Sequence, residues 1–589
     1  MDNSSSSSSV DPNSGFSSKT KTFHSLRPPL LLPPMSSPLS AASYALSLQQ
    51  NTEDTAFIDS STGRHISFSD FRQRVVSLAS SIQNTLRLSK NDVAFVLSPN
   101  STHIPILYFS LVSLGVVISP ANPLSTESEL LRQIKLTKPV IAFATSRNFQ
   151  KLPKLKHPTV LIDSPEFELM MTNTGLKLET VEVNQSDLAA IMYSSGTTGE
   201  VKGVKLTHRN FIASIANYHA QRRERDSLAV MLYTVPLFHV FGFHYILKSV
   251  ALTETVVVME RFDLKKMLKT VEDFRVTQLV VAPPVVVAMA KGSVTHGYDL
   301  SSLEAVGSGG ASLGKDVMQA FADKFPKIIL FQGYGLTETA GAAFRAGTTE
   351  EMLCQGSVGR LLANTEAKIV DPDTGIGLHP GEQGELWIKG PTIMQGYIGD
   401  PKNTSETLMP GGWLRTGDLC YIDHHGYLFV VDRLKELIKY KGYQVAPAEL
   451  EQLLQSHPEI VDAAVIPYPD EEAGQLPMAF VVRRPQSTLD KEQVIDFISK
   501  QVAPYKKIRR VAFVSSIPKR QQDCRRTLNC NRWFYFLATK GFNEATTEIT
   551  VFVQGQTYKF YSALLVRKEE ENQNAKLSAS LVVRERGQH

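Results

Sequence analysis

The chain has 589 residues, 42% of them apolar, with 62 basic against 58 acidic side chains and a net charge of +4. That length supports more than one core, and the near balance of charge excludes the concentrated positive field of a dedicated nucleic-acid binder. The four cysteines, Cys354, Cys420, Cys524 and Cys530, are too few for a disulfide framework and lack Cys-x-x-Cys spacing, which points to a reducing compartment and away from structural zinc.

The opening MDNSSSSSSVDPNSGFSSKTK has no apolar run behind a basic segment, so no secretory signal is expected. Residues 1–35, ending in the proline-rich PPLLLPP, are expected to form a disordered leader. From residue 36, short apolar runs at 188–193, 277–282, 303–307 and 328–331 alternate with helical patterns, the rhythm of a parallel sheet with crossover helices. The apolar window 230–252 holds Pro236, His239, His244 and Lys248, costly at membrane depth, so it reads as buried strand and loop and no membrane span is expected. From about Thr365 the texture changes to alternating apolar residues, frequent glycines and a turn at His424, His425 and Gly426, the pattern of a small antiparallel unit. Beyond Arg433 a helix opened by Pro447, strands over 460–468 and 477–482, a helix over 489–502 and a strand from Arg510 form a further unit. The fold class is therefore α/β: a large N-terminal α/β domain of several subdomains with a small β-barrel over 36–432, a hinge, and a small α+β C-terminal domain over 433–520. An atypical tail follows over 521–589.

The stretch MYSSGTTGEVKG, Met192 to Gly203, has no side chain suited to a core. It follows a strand and precedes a helix candidate with Thr207 at the N-cap, so a strand-to-helix turn is predicted. Backbone amides, hydroxyls and Lys202 converge there, a donor set suited to polyphosphate. The spacing is not that of the common P-loop, and composition alone also fits a flexible Gly/Ser linker.

The run MYSSGTTGEVKGVKLTHRN closely resembles the phosphate-loop signature of the adenylate-forming superfamily of acyl-CoA synthetases and luciferases. Similar segments follow in order: QGYGLTET (332–339), GWLRTGD (412–418) and VDRLKELIKYKGYQVAPAELE (431–451). The resemblance spans about residues 40–519, and PLFHVFGF and LKELIKYKGYQVAP are most similar to plant 4-coumarate:CoA ligase and its fatty-acyl or jasmonate-precursor relatives. It implies a reaction in two halves: a carboxylate joins the α-phosphate of ATP with release of pyrophosphate, and the thiol of coenzyme A then displaces AMP to give a thioester. The implied cofactors are ATP, Mg2+ and coenzyme A, and the partner is a small-molecule carboxylic acid, with no nucleic acid. A monomer in the cytoplasm is expected, with the peroxisome as the alternative, although the sequence ends Arg-Gly-Gln-His and not Ser-Lys-Leu.

By the same resemblance, Ser194, Ser195, Gly196, Thr197, Thr198 and Lys202 hold the β- and γ-phosphates, Gln332 and Gly333 join the ATP contacts, Thr337 faces the α-phosphate and Glu338 ligates magnesium. Asp418 grips the ribose hydroxyls with the Arg433 fork beside it. His239 sits near the reacting carboxylate, while Phe241, Tyr245 and Gly310 contact the acyl-adenylate. Hydroxycinnamate ligases carry a tyrosine where this chain has Phe241, which removes a partner for a substrate phenol. The small run Thr339 to Ala343 leaves room for a longer chain, so hydroxycinnamic, fatty and oxylipin-type acids all fit. Lys435 and Lys439 contact the acyl-adenylate, and Arg261, Lys441 and Gly442 contact coenzyme A. His239, Thr337, Glu338 and Lys439 form the implied catalytic set, served by rotation of the small domain about Asp432 to Lys435. Read alone, His239 also fits a satisfied core position, and the lysines a solvated face.

One segment departs from the pattern. Members of the family close with I-P-K-x-x-x-G-K, whose last lysine bridges the substrate carboxylate and the α-phosphate. Here SSIPKRQQDCRR places Asp523 and Cys524 at the glycine and lysine positions. A cysteine cannot supply that positive charge, and Arg525 and Arg526 differ from lysine in reach and geometry. The resemblance stops beyond Arg520, where strand alternation around Gly555 predicts a hairpin, and the tail reads as an alternative splice form or gene-model readthrough. Two expectations follow: an acid:CoA ligase, or a catalytically impaired form that binds nucleotide, acyl or CoA ligands without efficient adenylation.

Overall fold

The computed structural model of the protein describes residues 10–50, 53–195, 201–222, 225–310, 313–440, 443–470, 473–517, 547–553 and 556–562. Six parallel strands lie side by side in the order Thr55–Asp59, Thr255–Val258, Val230–Tyr233, Gln278–Val281, Ala305–Ser308 and Ile329–Leu336. Antiparallel His65–Ser67 borders one side, and Gly341–Arg345 and Arg360–Leu361 border the other. Both faces of this sheet are covered, which is why a strand such as Thr255–Val258 is an unbroken run with every residue buried.

A second sheet runs Gly396–Tyr397, Val201–Thr207, Leu188–Ser195, Val117–Ala121, Val93–Leu97, Ile141–Ala144 and Val160–Leu161. Between the two sheets lies the largest core, to which the helices Ala41–Leu48, His103–Ser113, His208–Ala220 and Val240–Ala251 contribute. At its centre Phe243 packs 5.0 Å from both Tyr108 and Phe211.

The apolar window 230–252, expected as strand and loop, is the strand Val230–Tyr233 followed by the helix Val240–Ala251. Lys248 is tolerated inside it because Glu254 pairs with it at 2.6 Å. Among the described residues no helix is long and apolar enough to cross a membrane.

The small barrel predicted after Thr365 is instead an open sheet. Its path runs Phe16–Ser17, Thr22–His24, Glu366–Val370, Gly384–Lys389, Trp413–Ile422 and Leu408–Met409, with Leu428–Arg433 branching from Trp413–Ile422, and among the described residues its ends do not pair. Two of these strands come from the segment expected to be a disordered leader, so that expectation fails for residues 10–35. Phe16 and Phe23 are 6% and 2% exposed and lie 4.8 Å apart. Burying two phenylalanines offsets the entropy of ordering a serine-rich segment.

The chain leaves this sheet at Arg433 and enters another at Ile438, made of Ile438–Tyr440, Tyr443–Val445, Ile460–Asp470, Gly474–Arg483 and Arg510–Phe513. With the helices Pro447–Ser456 and Lys491–Ser499 it encloses its own core around Leu450, Val465 and Val481. The second helix lies within the predicted 489–502: the Asp490 side chain accepts from the Gln493 amide and starts it at Lys491, and it ends at Ser499. Thr547–Val553 and Gln556–Ser562 pair antiparallel on either side of the predicted turn.

Candidate active site

The glycine and hydroxyl stretch is the turn of a β-hairpin. Leu188–Ser195 pairs antiparallel with Val201–Thr207, and Ser194 stands opposite Lys202. The predicted strand-to-helix turn is thereby corrected: helix His208–Ala220 begins only after the second strand, where Thr207 accepts from the Asn210 amide. Its N-terminus is therefore not the donor behind the loop. Gly196, Thr197 and Thr198, and the side chain of Ser195, lie outside the described residues.

Two elements converge on the hairpin. Thr337–Thr339 forms a 3-10 turn at the end of Ile329–Leu336, held by the fully buried Thr339, whose hydroxyl accepts from the Leu336 amide at 2.8 Å and donates to the Gly341 carbonyl at 2.7 Å. That turn presents Glu338, whose Oε1 accepts from Ser194 Oγ at 2.9 Å and from the Tyr397 hydroxyl at 3.0 Å. Burial, and then the Glu338 carboxylate, push the Tyr397 hydroxyl well above the ordinary phenol range, so it stays a donor. Lys202 Nζ lies 4.8 Å from the Tyr397 ring centroid and donates to Asn403 Oδ1 at 2.8 Å. Ser194, Lys202 and Glu338 are thus one cluster, completed by Tyr397 and Asn403.

A second cluster forms where Asp418 and Arg433 are cross-strand neighbours, with Arg433 Nε 3.1 Å from Asp418 Oδ1. The Tyr334 hydroxyl donates to Asp418 Oδ2 at 2.6 Å. Burial pushes the Asp418 carboxyl up, against the opposing pull of Arg433 and Tyr334. Next to it, Asp432 accepts from the Arg433 amide at 2.7 Å and the Ala448 amide at 2.9 Å, tying the strand end to helix Pro447–Ser456; burial pushes its carboxyl up to about 7.

Beside these clusters a cavity of about 1130 Å³ opens at the carboxyl ends of the parallel strands, the usual place for a ligand in such a sheet. His239, Phe241, Tyr245, Gly310, Gly333 and Thr337 all line it. His239 is the N-cap of Val240–Ala251 and accepts from the Phe241 amide at 3.3 Å. Gly242 is required behind it, since a Cβ there would stand 2.3 Å from the Pro236 carbonyl oxygen. Gln332, predicted as an ATP contact, is not in the lining. Phe331, Gly333 and Tyr334 line the cavity, while the Gln332 side chain accepts from the Leu313 amide at 3.0 Å beside Met318. Its side chain braces the strand.

Arg261, Lys435 and Lys439 are exposed and belong to neither cluster nor to the cavity wall. The Lys439 amide donates to Gln475 Oε1 at 2.8 Å. Lys441 and Gly442 fall outside the described residues, as do Asp523 and Cys524. Three residues escaped the sequence reading. Tyr334 stands inside QGYGLTET and was legible there, whereas Tyr397 and Asn403 come from the antiparallel region and carried no local signal.

No group of three acidic, histidine or cysteine side chains forms a metal cage among the described residues. A lone carboxylate, Glu338, suits magnesium, which binds through one or two carboxylates while phosphate and water oxygens complete its octahedron.

Residues 45–398 match the AMP-binding enzyme family and residues 449–523 its C-terminal domain. The chain is 51% identical over 530 residues to 4-coumarate–CoA ligase-like 9 of Arabidopsis thaliana, covering 87% of this chain and 94% of the relative. It is 49% identical to 4-coumarate–CoA ligase-like 6 of Oryza sativa, over 86% of this chain and 90% of that one. A peroxisomal OPC-8:0-CoA ligase of Arabidopsis thaliana is 45% identical over 87% of this chain and 96% of its own. In fold, the chain superposes on ATP-bound MatB of Rhodopseudomonas palustris with a TM-score of 0.77 at 24% identity, covering 85% of this chain and all (100%) of that one. Hairpin, turn and small terminal unit stand in the order the motifs foretold, and the chain belongs to the AMP-binding enzymes of the adenylate-forming superfamily, alongside the 4-coumarate:CoA ligase-like proteins of plants.

Proposed function

We propose that the protein is an acid:CoA ligase that activates a hydroxycinnamic, fatty or oxylipin-type acid as its adenylate and passes the acyl group to coenzyme A. One observation carries this reading: Glu338, Ser194, Tyr397 and Lys202 form a single polar cluster beside a cavity large enough for an organic acid. Family membership, shared with relatives named as CoA ligases, supports it.

In the first half-reaction a carboxylate oxygen bonds to the α-phosphorus as the bond to pyrophosphate breaks. Both partners are anions, so catalysis rests on cations and aligned donors in fixed positions. Ser194, Ser195, Gly196, Thr197, Thr198 and Lys202 take the β- and γ-phosphates, and Thr337 the α-phosphate. Magnesium, when bound at Glu338, supplies positive charge to the phosphate oxygens. Asp418 accepts from the ribose hydroxyls through lone pairs that Arg433 and Tyr334 leave open, and Gly333 allows the backbone close to the nucleotide. His239 orients the reacting carboxylate at the mouth of the acyl cavity lined by Phe241, Tyr245 and Gly310. In the second half-reaction the thiol of coenzyme A attacks the acyl carbon and AMP leaves. Lys435 and Lys439 then contact the acyl-adenylate, and Arg261, Lys441 and Gly442 the coenzyme, after the small domain turns about Asp432 to Lys435. We place the activity in the cytoplasm, with the peroxisome as the alternative.

Cys524 at the position of the family's bridging lysine favours a second reading, in which ligands bind but adenylation is weak. Carboxylate-dependent exchange of labelled pyrophosphate into ATP separates the two. Exchange and thioester formation by this chain support the ligase. ATP binding with exchange only in the Cys524→Lys variant supports the impaired form, and no exchange by either across a broad panel of acids overturns the ligase reading.

A further inference from the structure

The cavity wall carries a cation that the ligase reading does not use. Strand Gly341–Arg345 runs along the cavity, with Gly341, Ala342 and Arg345 all in its lining. Four residues of extended chain place Arg345 about 13 Å beyond Gly341. The route from the reacting end is continuous: Phe241 packs 4.5 Å from Tyr245, and the Tyr218 hydroxyl donates to that of Tyr245 at 3.5 Å. Arg345 lies directly over Tyr218, its Cζ 4.0 Å from the ring centroid.

The guanidinium has more donors than partners. Its Nη2 donates to Gln221 Oε1 at 2.8 Å, while its Nε is buried and makes no hydrogen bond. No carboxylate pairs with it among the described residues. Glu351, the acid that bears on it electrostatically, is taken by Arg27 at 2.8 Å and Arg360 at 3.7 Å. Among the other cations of this wall, Lys248 pairs with Glu254 at 2.6 Å and Arg225 with Glu304 at 2.6 Å, while Arg222 donates to His219 at 2.8 Å. Tyr218, Tyr245, Lys248, Glu254 and Arg345 therefore make a polar patch in which, among the described residues, the guanidinium has no carboxylate partner; Arg345 stands opposite Gly333, four positions before Thr337 on the neighbouring strand. The Tyr218 face offsets part of the desolvation of Arg345 but accepts none of its remaining N–H groups.

We infer that Arg345 is a specificity-determining residue for the distal end of the acid, and that the preferred acid carries an accepting oxygen there, as a ketone or a second carboxylate. The inference rests on the ligase reading, which places the acyl chain in this cavity. A hydrocarbon tail would cover Arg345 and leave its donors unpaired, and buried polar groups reject a ligand that lacks their partner far more strongly than apolar pockets reject an extra group. A ketone takes one charge-assisted hydrogen bond, and a carboxylate can take the planar fork with two.

The test uses hydrolysis-resistant acylsulfamoyl adenosines, which need no adenylation by the protein. Binding of the decanoyl analogue to the full chain is compared by calorimetry with that of its penultimate-keto and ω-carboxy counterparts. One or both oxygenated analogues should bind about 10-fold tighter or more, the size of one hydrogen bond to a charged donor. Which of them does so distinguishes a neutral from an anionic tail, and Arg345→Met should abolish the preference. Equal binding of all three by the natural chain, or a preference that survives Arg345→Met, overturns this inference and leaves the ligase reading standing. Binding of none overturns both. The comparison on the natural chain needs no variant, so poor folding of Arg345→Met leaves it decisive.

Discussion

Ser194 and Glu338 stand 144 positions apart in the chain and are joined by a 2.9 Å hydrogen bond. The bond fastens the hairpin that carries the phosphate-loop signature to the turn that closes the parallel sheet. Among the described residues the Glu338 side chain is engaged through Oε1, the oxygen Tyr397 also holds, which offers the other carboxylate oxygen to a cation.

Replacing Glu338 by Gln keeps the shape of the turn and removes the charge. Pyrophosphate exchange should fall by about 10²- to 10³-fold, the scale of losing one electrostatic contributor to a transition state. Ser194→Ala should cost less, about 10-fold, since one hydrogen bond to a charged group is worth roughly 1.5 kcal/mol. Exchange rates unchanged in Glu338→Gln, with normal folding by circular dichroism, would refute the assigned role.

Tyr334→Phe deletes the hydroxyl that holds Asp418 at 2.6 Å and lines the cavity with its ring. Asp418 then loses one of its two fixed partners while keeping Arg433. The KM for ATP should rise about 10-fold through loss of a charge-assisted bond, with kcat less affected because the contact lies at the ribose and not at the reacting phosphorus. Steady-state kinetics against ATP reads this directly; a change confined to kcat contradicts it.

Acid should destabilise the fold through two buried histidines. Burial lowers His208 from 6.5 to about 4, and its Nδ1 accepts from the Ala41 amide at 3.2 Å, a bond only the neutral ring can make. Burial, followed by Lys248 and Arg345, lowers His244 to about 3. The folded values lie below the unfolded one, so the unfolded chain binds more protons between them. The stabilisation is complete above pH 6.5 or so and is lost as pH falls through about 4, on the order of 3 kcal/mol for His208 alone. Chemical denaturation from pH 7 to pH 4 should show this slope, and His208→Gln, which keeps an acceptor without titrating, should flatten it.

Cys524→Lys introduces an ammonium where the sequence resemblance implies one. Adenylation should gain about 100-fold or more, the worth of roughly 3 kcal/mol of transition-state electrostatics. Thioester formation from supplied acyl-adenylate should stay within a factor of about two, since the role proposed for that lysine lies in the first half-reaction. Equal gains in both halves would show that the substitution acts on folding.

The motifs made the clusters legible in part. Ser194, Lys202 and Glu338 were named from two separated stretches, and the cavity-lining His239, Phe241, Tyr245, Gly310, Gly333 and Thr337 from the resemblance. That the Gln332 side chain meets the Leu313 amide is not legible in the motif, because Leu313 is brought to it only by the fold. Tyr397 and Asn403 were missed because their meaning comes from Glu338 and Lys202, which are distant in sequence. The leader over residues 10–35 was misread because serine content masked Phe16 and Phe23, whose partner strand Glu366–Val370 lies hundreds of positions away.

The sequence by itself determined what depends on local pattern: the alternation of strands and helices, the small unit beyond Arg433, and the glycine and hydroxyl turn. Only the tertiary structure decided that the turn belongs to a hairpin and that, among the described residues, the antiparallel sheet stays open and Arg345 stands without a carboxylate in the cavity wall. Periodicity and spacing are properties of neighbours along the chain, while pairing, burial and charge compensation depend on which distant segments meet.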